Sequence, residues 1–148
     1  MKTPPATTTQ AVALGCAGDR TAGLALLQPL ISESPRQMVA TLSMLAEITS
    51  MPYRDEHPDA DFFGLSIADT TTGRDGSLDD LPAPVRFAAQ FVVAHANADY
   101  QHTYALFNAF ADRCLRQEND DLGKATAAMF DMAVLSTLRL AQNGQSPS

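Results

Sequence analysis

The chain has 148 residues, of which 45% are hydrophobic and 18% charged, and a formal net charge of -7. Those proportions suit one folded domain with a buried core and exclude a disordered chain. The acidic balance repels phosphate backbones and the few basic residues are scattered, so no nucleic-acid partner is expected.

The preference for arginine over lysine, with abundant alanine, points to a GC-rich bacterial genome. No apolar run reaches transmembrane length. Gly15 before Cys16 mimics a lipoprotein cleavage site, but polar "TPPATTTQ" stands where an apolar core of roughly 7–15 residues is needed. A soluble cytoplasmic protein without a membrane partner is the expectation. The two cysteines, Cys16 and Cys114, form no CxxC and sit among apolar neighbours, as core thiols do.

In chain order, "MKTPPATTT" reads as a frayed polar terminus. Ala11, Val12, Leu14 and Ala17 suit a short helix from Thr9 to Ala17. "AGD" interrupts it, and Asp19 stands as the N-cap of a second helix carrying Leu24, Leu27, Leu30 and Ile31. Pro29 removes a backbone donor there, so a kink or an early end is expected. "SESPRQ" is the clearest local signal, with Ser34 as N-cap, Pro35 in the first helical position and Gln37 completing a capping box. Behind it Met38, Val39, Leu42, Leu45, Ala46 and Thr49 form one apolar stripe, which places a helix at 35–50.

Residues 51–82 hold prolines, glycines and many acidic groups with little periodicity, and read as a long acidic connection. Within it "FFGLSIA" suits a short strand or a hydrophobic plug. "DTTTGRDGSLDD" spaces Asp69 and Asp80 as a calcium loop does, yet puts Arg74 where glycine is required, so a solvated loop is preferred. Helix resumes near Pro84, continues or restarts at "DYQHTYALFNAFADRCLRQ", and ends with Leu122 to Ala141, which is apolar on nearly every side. Such a helix is either central in a bundle or half of an oligomer interface.

A shift of 80 residues lays the halves on one another, with Pro4 on Pro84, Val12 on Val92, Asp19 on Asp99 and Leu26 on Leu106. The echo relates 4–50 to 84–141 and fits either a duplication or chance in alanine-rich helices. It bears on "HANADYQH". In an unbroken helix His95, Asp99 and His102 would share one face, as ligands for a divalent transition metal do, with His57 available from the long loop. In the register of the echo Asp99 is an N-cap like Asp19, and Asn97 takes the left-handed conformation that ends a helix. The turn is the preferred reading. Glu47 and Asp131, isolated carboxylates on apolar helices, either complete a carboxylate-rich centre or, more in keeping with such residues, face solvent or pair with arginine.

Serine-nucleophile and phosphate-loop signatures are absent. The aromatics of 87–110 are core candidates, and Tyr100 and Tyr104, whose hydroxyls need partners, have a groove rim or a dimer contact as the alternative to that preferred core reading. The expectation is therefore a single all-α domain of about six helices in a compact bundle, open to division into two three-helix units. Its expected role is a non-enzymatic interaction or regulatory module without a cofactor, binding a protein partner or itself through the Leu122–Ala141 helix. The alternative is a metal- or small-ligand-binding bundle, open to enzymatic activity, centred on His95, Asp99 and His102.

Overall fold

Helix starts and stops fall where cap residues set them. The computed structural model describes residues 4–56 and 81–145. They form α1 (Pro4–Cys16), α2 (Arg20–Glu33), α3 (Pro35–Glu56), α4 (Ala83–Ala96), α5 (Tyr100–Gln117) and α6 (Asp121–Gln145). No strand occurs among the described residues, so the protein is an all-α bundle. His57, "FFGLSIA" and the Asp69–Asp80 stretch lie outside them.

The Asp19 carboxylate accepts from the Ala22 amide at 3.1 Å to open α2. Ser34, in extended conformation, accepts from the Gln37 amide at 3.1 Å to open α3. Each satisfies one of the amides that a first turn leaves unpaired.

The expected helices are all present, but three boundaries differ. Helix α1 begins at Pro4 rather than Thr9. Prolines are tolerated in a first turn, where their missing N–H has no intrahelical partner, and Thr7 and Thr8 are buried rather than frayed. Pro29 does not end α2, which runs on to Glu33. Buried Leu27 and Leu30 anchor the chain on both sides of the proline, and that packing outweighs one lost hydrogen bond. Helix α3 continues past residue 50 to Glu56 with Pro52 inside it, so the connection begins later than position 51.

Helices α3 and α6 pack together most extensively and form the centre of the bundle. The α1–α2 hairpin lies against them on one side, and α4 packs on both from the other. Helix α5 leans mainly on α4 and touches α6 little. Every residue of the stripe expected on α3 is buried, from Met38 to Thr49. Ala125, Met129, Phe130, Met132 and Ala133 bury most of the apolar excess of α6 inside the molecule. The central-helix reading of that segment is therefore the observed one.

Threonine enters this core by bonding to its own helix. Thr41, Thr49, Thr126 and Thr137 each donate to the carbonyl four residues back, at 2.8–3.0 Å. Each hydroxyl is thereby satisfied, which lets Thr41, Thr49 and Thr126 be buried. Two glycines allow α1 and α2 to close on α6. A Cβ at Gly15 would sit 2.6 Å from Val134 Cγ2, and one at Gly23 would sit 2.6 Å from the Ala11 carbonyl oxygen and 2.7 Å from Phe130 Cζ. The Phe130 ring thus occupies a notch that only residues without side chains leave open.

Candidate functional site

The turn between α4 and α5 is where sequence reasoning placed its site. Asn97 N donates to Val93 O at 3.0 Å, Ala98 N to His95 O at 2.9 Å, and Asp99 N to Ala94 O at 2.9 Å. This is a Schellman-type helix end. The Asp99 carboxylate then accepts from the His102 amide at 3.2 Å and opens α5. Asp99 is a backbone cap, as the comparison with Asp19 implied. The same bonds recur 80 residues earlier, where Asp19 N donates to Leu14 O at 2.9 Å and Gly18 N to Gly15 O at 3.0 Å. One detail differs from expectation. The left-handed residue is Ala98, with φ 60°, in the place of Gly18 with φ 93°, while Asn97 has φ -87°.

The turn separates the two imidazoles. His102 is exposed on the first turn of α5, whereas His95 is 9% exposed in the last turn of α4. His95 Nε2 lies 2.8 Å from Glu47 Oε2 on α3. An ionised carboxylate only accepts, so Nε2 carries the hydrogen of this bond. The Tyr100 ring meets the imidazole edge-on at 5.5 Å, and His95 Nδ1 is buried without a hydrogen-bond partner. Among the described residues, no three His, Cys, Asp or Glu side chains are grouped closely enough to hold a metal ion. Glu47 is thus a partner of His95, and Asp131 pairs with Arg20 in a two-pronged contact at 2.8 and 3.1 Å.

Burial pushes the Cys16 thiol above the ordinary range for cysteine. It does the same to Cys114, where the charge of Asp121 adds to the effect. Both therefore resist forming the thiolate needed for nucleophilic chemistry.

The tyrosines divide from the other aromatics. Phe87, Phe91, Phe107 and Phe110 are core, with Phe87 stacked on Phe110 at 4.5 Å between centroids. Tyr100 and Tyr104 are 53% and 56% exposed, and Leu115 farther along α5 is 78% exposed. At about 100° and 1.5 Å per residue, these three fall within an arc of about 60° over about 22 Å. Opposite that row, α5 and α4 frame a groove of about 180 Å³. The buried line Thr103, Phe107, Phe110, Cys114 runs between the two surfaces. The exposure of Tyr100 and Tyr104 departs from the preferred core reading; it, Leu115 and the groove all depend on which flank of α5 meets α4.

No helix of the described residues is long and apolar enough to cross a membrane. No family model matches the chain, and no curated protein or solved structure matches it.

Proposed function

We propose that the protein is a non-enzymatic interaction or regulatory module that receives a partner protein along the outer flank of α5. The observation that carries this is the exposed row Tyr100, Tyr104 and Leu115 on the helix least embraced by the bundle. Large aromatic side chains with a polar tip are favoured at such interfaces, because they bury much area at little cost in side-chain freedom. Self-association through α6 draws on less surface than the sequence suggested. Leu135 and Leu138 are its large apolar side chains left exposed, at 54% and 39%.

A photo-crosslinking residue placed at Tyr104 of the intact chain, in lysate of the source cells, tests the proposal. A discrete protein adduct from Tyr104, with none from Gln28 on the exposed side of α2, is the expected result. Light scattering on the purified chain separates self from partner: a dimer that Leu135→Glu dissociates assigns the contact to α6. A monomeric chain with no adduct at Tyr104 removes the proposal.

The alternative, a metal- or small-ligand-binding bundle centred on His95, Asp99 and His102, has the partnerless Nδ1 of His95 in its favour. Metal analysis of tag-free protein tests it. Stoichiometric zinc, iron or manganese that is lost in His102→Ala places it ahead of the first reading.

A further inference from the structure

The groove on the other flank of α5 has a chemistry that the bulk charge of the protein does not anticipate. Its floor is apolar, built from Phe87 on α4 with Leu106 and Phe110 on α5. Arg86 and Arg113 line the same groove, one from each helix. Neither makes an ion pair among the described residues, unlike Arg20, which is held by Asp131, and Arg116, which is held by Asp112. A chain of net charge -7 thus brings two guanidinium groups to one apolar notch.

We propose that this groove docks an acidic amphipathic helix of a partner protein, its apolar anchor on Phe87, Leu106 and Phe110 and its carboxylates held by Arg86 and Arg113. The inference rests on the interaction-module reading and gives it a second surface and a partner chemistry.

Three considerations select this occupant. The volume of about 180 Å³ lies below the roughly 300–1,000 Å³ usual for small-molecule sites, so it admits a side chain rather than a whole cofactor. The aromatic floor offers nothing to a phosphate backbone, and the net charge repels a polyanion at longer range. Lining residues recur at 83, 86, 87 and 90 on α4 and at 106, 109, 110 and 113 on α5. Each set covers about two helical turns, or roughly 10 Å, the span in which a docked helix presents anchors one turn apart. Guanidinium groups beside an apolar floor also bind carboxylates more firmly than they do in open water, because the local dielectric is lower and the fork is bidentate.

The test uses two synthetic amphipathic peptides with the same leucine stripe, one flanked by glutamates and the other by lysines. Each is titrated into the isotopically labelled full chain and followed by amide chemical shifts and by fluorescence anisotropy. The acidic peptide is expected to bind at least about tenfold more tightly, with salt weakening it and shifts centred on Gln90, Leu106 and Ala109. The double variant Arg86→Glu, Arg113→Glu should invert the preference toward the lysine peptide. Should Arg86→Glu disturb the fold, the solvent-exposed Arg113→Glu alone should still narrow it.

Equal binding of the two peptides, absence of binding by either, or a preference that charge reversal leaves intact overturns the proposal. Shifts confined to Tyr100, Tyr104 and Leu115 also overturn it while leaving the interaction-module reading standing. Loss of the crosslinked adduct at Tyr104, with groove binding retained, removes the outer-flank reading alone.

Discussion

Replacing Gly23 by alanine sets helix propensity against packing, and the structure says which wins. In an exposed helix that substitution stabilises by about 1 kcal/mol. Here the added Cβ would meet the Ala11 carbonyl oxygen at 2.6 Å and Phe130 Cζ at 2.7 Å, roughly 1 Å short of ordinary van der Waals separation. The oxygen is backbone, so relief requires α1 and α2 to part. Overpacking costs about 1–3 kcal/mol, and the backbone obstacle puts this case in the upper part of that range, about 2–3 kcal/mol. The net expectation is a loss of about 1–2 kcal/mol, read as a melting temperature lower by about 3–8 °C in a domain of this size.

Gly15→Ala is the internal comparison, since its obstacles, Val134 Cγ2 and Phe130 Cζ, are side-chain atoms. In a Phe130→Leu background Gly15→Ala should recover part of its penalty, while Gly23→Ala should keep most of its own. Differential scanning calorimetry of the three single and two double variants decides the matter. A Gly23→Ala protein that melts at or above the parent temperature, or one fully rescued by Phe130→Leu, refutes the reasoning.

Ala98→Gly should raise stability by about 0.5–1 kcal/mol, because alanine holds a left-handed φ of 60° that glycine adopts freely; Gly18→Ala, at φ 93° with open space around it, should lower stability by about 1–2 kcal/mol in the same urea titration. Thr8→Val should stabilise by about 1 kcal/mol, since the Thr8 hydroxyl is buried without a partner and valine matches its shape; a destabilised variant would show that the hydroxyl is bonded. Cys16 and Cys114 should react with a thiol reagent at mildly alkaline pH well below the rate seen after unfolding, because burial holds both thiols protonated. Their pKa values are raised in the folded state, so this contribution to stability is full below the ordinary thiol pKa of about 8.5 and fades as pH rises through and above it, which pH-dependent denaturation checks.

Local chemistry was legible in the sequence wherever a few neighbouring residues decide the outcome. The stripe from Met38 to Thr49, the Ser34 cap and the Asp99 turn are of this kind. The left-handed position was assigned to Asn97 because asparagine adopts that conformation readily, whereas the observed Ala98 is held there by the hydrogen bonds closing α4. The early end that Pro29 suggested does not occur, because that rule describes an isolated helix and packing by Leu27 and Leu30 supplies what the lost bond removes. Thr7 and Thr8 misled for a related reason, since their polarity reads as a frayed terminus whereas the packed bundle buries both. The pairing of His95 with Glu47 spans 48 residues, and no local spacing encodes it. The groove needed two separated helices to be placed before Arg86 and Arg113 could share it.

Ser136 Oγ donates to the Thr49 carbonyl at 2.9 Å, inside the core and between segments 87 residues apart. Slippage of either partner by one helical repeat, about 5.4 Å, would strand that hydroxyl in an apolar surround. The inner pair of rods is therefore pinned lengthwise by a polar rivet. Rearrangement on the proposed docking therefore falls more readily to the outlying hairpins, while the axle between them keeps its register.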